Sequence, residues 1–316
     1  MLRLSVKNIH MKEISEIGLA NFIIAGTEKA GTTSVFTYLS THPSVCGSVV
    51  KETDFFRNAY TGDREKDITN YASFFENPSH EKPIIMEASP GYLGSGAEVA
   101  ARIHSLIPNT KLLFILRNPI DRMYSSFNFH VSKLNLNANL SFEEYINKCI
   151  DYDLGNKSPA ELNIGEWYLK VISYGRYADY LKYYYQRFPE NQIKILFFED
   201  LNRDTLNFMR ELCDFLEITS DYFEDYNFKR INVTYESKMK WLHKLAVNLN
   251  SRSERFLRQR PNLKQFIVSL YKKVNQAREG YNDMSEESHY RLKEYYKPSI
   301  DALQTLIGTR KTPWDI

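Results

Sequence analysis

Residues 21–43 read NFIIAGTEKAGTTSVFTYLSTHP, and this stretch decides the fold. The apolar residues 21–25 predict a buried strand, and residues 32–40 have the composition of a helix that ends before the His-Pro pair. The turn between them is bounded by Gly26 and Gly31, so it presents backbone N–H groups and a helix N-terminus, which together favour a phosphate-like anion. The stretch therefore predicts a P-loop-like strand–loop–helix.

The loop departs from the nucleotide-binding P-loop at one position. That motif reads G-x-x-x-x-G-K-[ST], with the lysine directly after the second glycine. Gly26 and Gly31 keep the spacing, but Thr32 stands in the lysine's place, and the only lysine of the loop is Lys29. The loop therefore keeps the backbone arrangement that binds an anion, but its positive charge lies at a different position. We therefore expect a ligand other than a nucleoside triphosphate held in the usual way.

Three further apolar runs predict strands, and helical stretches alternate with them. The runs are PIIME at 83–87, KLLFILR at 111–117 and QIKILFF at 192–198. Predicted helices occupy residues 32–40, 95–106, 119–131, 142–150, 166–188, 204–216 and 285–306. Continuous apolar strands that alternate with helices indicate an α/β fold, with a central parallel sheet, helices on both faces and a helical C-terminal elaboration. Ligands of such sheets bind at the carboxyl ends of the strands.

Residues 1–316 are interpreted as a single domain, because no linker, repeat or low-complexity tract interrupts them. Residues 1–20 are an N-terminal extension, and residues 229–280 are a basic helical segment within the domain. From 229 to 273 the chain carries twelve Lys or Arg against two acidic residues, although its net charge is only +2. This charge predicts contact with a polyanionic acceptor or an anionic membrane surface, or else a solvated helical face. No recognition motif accompanies it, so nucleic acid is not an expected partner.

Composition favours a soluble, cytoplasmic protein. Apolar residues make up 43% of the chain and charged residues 25%. The first twenty residues lack the apolar core of a signal peptide, and no run approaches the roughly 18 apolar residues of a membrane span. Cys46, Cys149 and Cys213 form no CxxC or Cys/His group, so we expect reduced thiols and no metal site.

A second informative segment, RNPIDRMYS, follows the third predicted strand. Arg117 ends that strand, and Ser125 lies two turns along the next helix. A guanidinium binds phosphate through paired charge-assisted hydrogen bonds, and a helix-borne hydroxyl can donate to the same group. Taken alone, the two residues are more simply interpreted as an ordinary strand-end arginine and an exposed serine.

Together the two segments resemble the signature of sulfotransferases that use 3′-phosphoadenosine-5′-phosphosulfate (PAPS). The resemblance is closest to the heparan-sulfate type and to bacterial carbohydrate sulfotransferases, and it covers most of the chain. It also includes KETDFF at 51–56, EASPGY at 87–92, FFEDL at 197–201 and the closing pattern from Tyr295-Tyr296 to Trp314. It implies that the product is PAP, that no metal is required, that Arg117 and Ser125 bind the 3′-phosphate, and that the 5′-phosphosulfate is bound by Lys29, Ala30, Gly31, Thr32, Thr33 and Ser34.

The resemblance and the chemistry of sulfuryl transfer together assign two catalytic roles. Lys29 would stabilise the charge that develops on the leaving phosphate, without a metal. Glu52 matches the glutamate that serves as general base in the heparan-sulfate-type enzymes, where it takes the proton of the acceptor. Asp54 competes for that role on the same segment, and a solvated loop carboxylate is the alternative interpretation of Glu52.

Other assignments rest on the resemblance or on position alone. Tyr177 resembles a family position near the cofactor. The late Lys-Gly-Arg triplet of the heparan-sulfate enzymes is absent, and Lys229-Arg230 or Lys238 are its candidate substitutes. Candidates for the acceptor groove are Lys51, Ser89, Tyr92 and His130. For His130 an ordinary helix histidine is an equally good interpretation.

The leading hypothesis is an enzyme that transfers a sulfuryl group from PAPS to a hydroxyl, or less favourably an amine, of a carbohydrate or glycolipid. One alternative is a sulfotransferase that acts on a small molecule or lipid. A P-loop-like kinase or NTPase is a second alternative, which Thr32 argues against. An inactive nucleotide-binding module is the third. The sequence indicates neither the acceptor nor the oligomeric state.

Overall fold

The structure is a computed structural model, which describes residues 18–229 except 77, 80 and 138, the strands at 235–237 and 276–279, and residues 284–315. The chain forms two compact units. The sheet unit comprises Met1–Arg122, Arg176–Ile231 and Tyr296–Ile316, and the helical unit comprises Met123–Gly175 and Asn232–Tyr295. Both units draw on several segments of the chain, so the interpretation of residues 1–316 as one domain stays a prediction.

The sheet unit is built on five parallel strands. They are β1 (Phe22–Gly26), β2 (Val45–Gly47), β3 (Ile84–Ala88), β4 (Lys111–Leu116) and β5 (Ile193–Phe197). Their order across the sheet is β2-β3-β1-β4-β5, so β1 lies at the centre, between β3 and β4. Every residue of β1 and β3 is buried, as expected for a parallel sheet covered on both faces. The predicted α/β fold is confirmed, and the short strand β2 is an addition to it.

Helices account for much of the remaining described chain. In chain order they are α1 (Thr32–Ser40), α2 (Phe55–Asn58), α3 (Arg64–Ala72), α4 (Gly96–Leu106), α5 (Pro119–Ser132), α6 (Phe142–Asp153), α7 (Pro159–Leu162), α8 (Glu166–Leu169), α9 (Tyr177–Tyr185), α10 (Phe198–Arg203), α11 (Thr205–Leu216) and α12 (Glu286–Ile307). The helix predicted at 166–188 is divided into α8, a 3₁₀ turn at Ser173–Gly175 and α9. It is interrupted because Arg176 has a ψ of 68°, outside the helical range.

The core of the sheet unit packs helices α1 and α11 against the strands. Phe22 and Ile24 of β1 lie on the same face as Leu113 of β4, since alternate residues of a strand point to one side. Leu39 of α1 and Leu212 of α11 belong to the same buried cluster. Each such side chain contributes about 1.5–3 kcal/mol when it is fully buried. The loop that follows β1 therefore begins from a well-anchored strand.

The helical unit has clear local signals in its sequence. Ser141 begins α6 in a capping box with Glu144, and Ser158 begins α7 in a capping box with Glu161. Tyr145 of α6 is fully buried, and its hydroxyl donates to a backbone carbonyl of the same unit. These reciprocal caps satisfy the N–H groups that a helix leaves without intrahelical acceptors.

The basic segment predicted at 229–280 lies largely outside the described residues. Within it, β6 (Tyr235–Ser237) and β7 (Gln276–Glu279) pair in the antiparallel direction. The helical character predicted for the rest of the segment stays a prediction. Across the described parts of the chain, no helix combines the length and the apolar character that crossing a bilayer requires.

Candidate active site

The loop after β1 has the geometry of an anion cradle. The Thr27 N–H donates to the Ile115 carbonyl of β4 at 2.9 Å, which ties the start of the loop to the sheet. Lys29 and Gly31 both have left-handed backbone conformations, with φ of 66° and 79°. α1 begins at Thr32 without a side-chain cap, so its first N–H groups remain available to a bound anion.

Gly31 is required by close packing as well as by its conformation. A Cβ atom there would lie 2.7 Å from Leu201 Cδ2 and 3.1 Å from Phe198 Cδ2. Both neighbours belong to α10, which follows β5. Helix α10 therefore packs directly against the loop, and only glycine fits at position 31.

Arg117 follows β4 and binds the cradle directly. Its Nη1 donates to the Lys29 carbonyl at 3.0 Å, and its guanidinium carbon lies 4.5 Å from the centre of the Phe198 ring. Burial lowers the pKa of Arg117, and the carboxylates of Asp121 and Glu199 oppose that shift. The two sequence segments that carry the resemblance thus meet at one place. This contact could not be derived from either segment alone.

Tyr177 supports Arg117 from the following chain segment. Its hydroxyl donates to the Arg117 carbonyl at 2.7 Å, and the side chain is buried. Burial raises the pKa of Tyr177 to about 12, so the hydroxyl keeps its proton and acts as a donor. The family resemblance predicted that Tyr177 lies near the cofactor. In the structure its hydroxyl binds the backbone of Arg117.

Glu199 is a part of the arginine site to which the sequence gave no role. Its Oε1 accepts the Asn118 N–H at 2.9 Å, and the Asn118 side chain in turn accepts the Ile120 N–H at the start of α5. The only feature of the sequence that could have indicated this role is the position of Glu199 in FFEDL, directly after a predicted strand. The carboxylate supplies negative charge beside Arg117 and fixes the β4–α5 turn.

Glu52 lies at the same edge of the sheet as the cradle. Its N–H donates to the carbonyl of Ala88, the last residue of β3, at 2.9 Å. The segment that carries Glu52 follows β2 and is bonded here to the end of β3. Strand β3 is the immediate neighbour of β1, which leads into the loop of Lys29. The Glu52 carboxylate is 55% exposed and forms an ion pair with Lys51 at 2.5 Å. The carboxylate is thus accessible from solvent.

Asp54, the competing base, is less exposed than Glu52, with 28% of its side chain accessible. Its Oδ1 forms an ion pair with Arg57 Nη1 at 3.2 Å, one turn along the chain. Asp54 also begins α2 with a φ of 47°. Of the two carboxylates, that of Glu52 is the more accessible.

The structure places three of the four groove candidates in buried positions. Ser89 and Tyr92 are completely buried, and their hydroxyls donate to the Glu87 carboxylate at 3.0 and 3.1 Å. They point into the unit, not into an acceptor groove. His130 is only 5% exposed, and its ring lies 4.9 Å from that of Tyr168 within the helical unit. Its alternative interpretation as a packed helix histidine fits better.

No contact among the described residues tests the remaining predicted positions, which stay predictions. Ser125 is half-buried on α5 in the helical unit, and Lys51 is half-buried beside Glu52. Lys229 is described, and its carbonyl accepts the Tyr38 hydroxyl at 2.7 Å, whereas Arg230 and Lys238 lie outside the described residues. The part of the chain that is described contains no group of three or more His, Cys, Asp and Glu side chains placed to hold a metal ion.

Comparison with known proteins identifies the class to which this fold and site belong. A family model described as the sulfotransferase domain matches residues 19–304. The chain therefore belongs to the sulfotransferase family, a class of transferase enzymes, and the family resemblance expected from the sequence is confirmed.

The relatives of the chain include large bifunctional enzymes. A bifunctional heparan sulfate N-deacetylase/N-sulfotransferase of Drosophila melanogaster is 29% identical over 233 residues, covering 67% of this chain and 21% of the relative. The human bifunctional heparan sulfate N-deacetylase/N-sulfotransferase 3 is 30% identical, covering 68% of this chain and 24% of the relative. The chain spans less than a quarter of the length of these two relatives.

A solved structure supports the fold. The crystal structure of a sulfotransferase from Alicyclobacillus acidocaldarius matches with a TM-score of 0.60 and 24% identity, covering 91% of this chain and 95% of that one. At this level of identity the match concerns the arrangement of strands and helices, and it agrees with the parallel five-stranded sheet described above.

Proposed function

We propose that this protein transfers a sulfuryl group from PAPS to an oxygen of a carbohydrate or glycolipid acceptor. The observation that carries the proposal is the 3.0 Å hydrogen bond between the Arg117 guanidinium and the Lys29 carbonyl. It joins the two segments to which the family resemblance assigns opposite ends of the donor nucleotide. Membership of the sulfotransferase family supports the same reaction.

In this proposal the cradle holds the phosphosulfate end of the donor. The N–H groups of Thr32 and Thr33 at the start of α1 face the anion, and the side chains of Lys29 and Ser34 add charge and a hydroxyl donor. Arg117 binds the 3′-phosphate. Its bond to the loop uses one of the five N–H groups of the guanidinium, which leaves further donors for a phosphate. Ser125 is assigned to the same phosphate by the resemblance alone.

The reaction is an in-line displacement at sulfur. The acceptor oxygen forms a new S–O bond while the S–O bond to the 5′-phosphate breaks, and the electron pair of that bond leaves with PAP. The ammonium of Lys29 stabilises the charge that develops on the leaving phosphate. The proton of the acceptor hydroxyl moves to the exposed carboxylate of Glu52, and no step needs a metal ion.

The acceptor class rests on the relatives. Their names state that they act on heparan sulfate, which supports a glycan acceptor here. The same names describe N-sulfotransferases, and this favours an amine as the second candidate acceptor group. A small-molecule or lipid acceptor is the remaining alternative within the family.

The setting of the reaction is also a proposal. All three cysteines are free and buried, which supports a reducing compartment such as the cytoplasm. The basic residues between 229 and 273 support contact with a polyanionic glycan or with an anionic membrane surface. Neither a nucleic-acid partner nor a particular oligomeric state is part of the proposal.

A thermal-shift experiment tests the donor. PAP should raise the melting temperature of the protein, because a ligand that binds only the native state stabilises it, and MgATP should not. Stabilisation by MgATP and none by PAP would support the P-loop-like kinase alternative instead. An inactive binding module would bind PAP but would transfer no label from radiolabelled PAPS to any glycan or glycolipid tested.

Substitution of Glu52 tests the base. Glu52→Gln should lower the turnover number by about 10²- to 10⁴-fold, because a neutral amide cannot take the proton, while the PAP-induced shift is unchanged. Glu65→Gln is the matched control, since Glu65 is an exposed glutamate in the first turn of α3. Turnover by Glu52→Gln at the rate of this control would assign the base elsewhere.

A further inference from the structure

Glu87 is a buried carboxylate to which the proposed function gives no role. It lies in β3, one residue before the carbonyl that accepts the Glu52 N–H, and it is completely inaccessible to solvent. Four hydroxyl groups donate to it: Tyr71 at 2.7 Å, Ser89 at 3.0 Å, Tyr92 at 3.1 Å, and Thr53. The four hydroxyls therefore fill the accepting positions of its two oxygens.

Three of these hydroxyls also accept a hydrogen bond from the chain that follows Glu52. The Asp54 N–H donates to Ser89 at 3.1 Å. The Phe55 N–H donates to Thr53 at 3.3 Å, and the Phe56 N–H donates to Tyr92 at the same distance. Each of three consecutive backbone amides is thus linked to the Glu87 carboxylate by one hydroxyl group.

In its ionised form Glu87 only accepts hydrogen bonds, and this fixes the direction of the four bonds from the hydroxyls. A hydroxyl has a single proton, so one that donates to the carboxylate can offer only its lone pairs to an amide. Burial raises the pKa of Tyr71 and of Tyr92 well above that of an ordinary tyrosine, so both hydroxyls keep their protons and donate. A carboxylate satisfied by four neutral donors needs no cation beside it.

The backbone held by the network has an uncommon conformation. Glu52 and Asp54 both have positive φ, at 67° and 47°, which side-chain-bearing residues seldom adopt. Such a conformation persists only where the surrounding structure holds it in place. The bonds from Asp54, Phe55 and Phe56 hold the chain immediately after Glu52, and the bond to Ala88 holds Glu52 itself.

We propose that Glu87 is a positioning residue for the reaction, which acts through the hydroxyls of Thr53, Ser89 and Tyr92 to hold the Glu52 carboxylate in place. This inference rests on the proposed function, because it concerns the residue assigned there as the base. Glu87 does not exchange a proton with the acceptor, since it is buried and saturated with donors. Burial raises its pKa, and the four hydroxyls oppose that shift.

Thr53 allows a test that leaves the proposed catalytic and binding groups intact. Thr53→Val removes the hydroxyl while keeping the shape of the side chain, so Glu87 loses one donor and the Phe55 N–H loses its acceptor. The turnover number should fall by about 10- to 100-fold, because a misplaced reacting group costs a factor of this size. The KM for PAPS and the PAP-induced thermal shift should not change.

The chain offers two matched controls. Thr61 donates to the buried carboxylate of Asp67 at 2.8 Å and accepts the N–H of Asp63 at 3.2 Å, so it repeats the bonding pattern of Thr53 away from Glu52. Thr61→Val should lose stability without losing turnover. Thr53→Ser keeps the hydroxyl, and its turnover should be close to that of the wild type.

The outcomes separate this inference from the proposed function. If Glu52→Gln is inactive while Thr53→Val turns over as fast as Thr61→Val, the positioning role is wrong and the base assignment stands. Loss of both turnover and the PAP-induced shift in Thr53→Val would show a purely structural role and would also overturn the inference. If Glu52→Gln keeps full turnover, the assignment of the base fails and the inference falls with it.

Discussion

Replacement of Gly31 by alanine perturbs the cradle at its most crowded point. The residue has a φ of 79°, in the left-handed region that side-chain-bearing residues seldom adopt. The added Cβ would lie 2.7 Å from Leu201 Cδ2 and within 3.3 Å of two atoms of the Phe198 ring. Either the loop or α10 must therefore shift to accept the methyl group.

The cost of this substitution has two parts. Placing alanine in the left-handed region costs about 1–2 kcal/mol. Forcing an extra methyl into a filled space costs about 1–3 kcal/mol in addition. We therefore expect Gly31→Ala to lower the free energy of unfolding by about 2–5 kcal/mol, a large fraction of the stability of a typical domain.

A control separates the two parts. Gly62 has a φ of 85°, but a Cβ there would have no neighbour within 4 Å. Gly62→Ala should therefore lose only the conformational part, about 1–2 kcal/mol. Urea unfolding of both variants, with unchanged slopes against urea concentration, gives the comparison. If Gly31→Ala is no less stable than Gly62→Ala, the packing of α10 against the cradle is not as described.

Three other predictions follow from single residues. Lys29→Ala should lower turnover of PAPS by about 10²- to 10³-fold, as loss of a charge-stabilising donor does, in a radiolabel transfer assay. Burial raises the pKa of Cys213 to about 12, so Cys213 should not react with a thiol reagent at mildly alkaline pH in the native protein, and it should react once the protein is unfolded in guanidinium; peptide mapping of the labelled cysteines checks this. Burial would raise the pKa of Glu211, but its bonds to Arg310 and Lys194 outweigh burial and lower it. The stabilisation from Glu211 is therefore present above its unfolded pKa near 4.5 and is lost as pH falls through the folded value, so Glu211→Gln should lose stability relative to wild type at neutral pH but not at acid pH.

The sheet could be predicted from the sequence because its strands have a strong local signal. Phe22–Gly26 and, after its first residue, Lys111–Leu116 are short continuous apolar runs, which are typical of strands buried on both faces. Val45–Gly47 has three residues, too few for any periodicity to appear. Gly175 and Arg176 interrupt a long helical pattern whose composition alone suggested continuity.

The loop geometry was predictable because its motif is local, whereas contacts between distant segments were not. The strand–loop–helix that contains Lys29 and Gly31 is defined by spacing within one segment. Ser89 and Tyr92 were predicted to line an acceptor groove but are completely buried, since position at a strand end does not determine which way a side chain points. The structure turns both toward Glu87, whose four donors come from three separate parts of the chain. No local pattern marks such a network.

The displaced lysine has a structural reason. Thr32, which stands where the P-loop lysine stands, is only 5% exposed at the start of α1. A lysine there would have to bury its ammonium or disturb the packing of the helix. Lys29 instead lies in the loop itself, where the Arg117 guanidinium holds its backbone carbonyl. The position of Lys29, assigned to the phosphosulfate end of the proposed donor, therefore depends on Arg117, which is assigned to the 3′-phosphate end. If the two motifs form one site as proposed, a nucleoside triphosphate without a 3′-phosphate would fill only part of it.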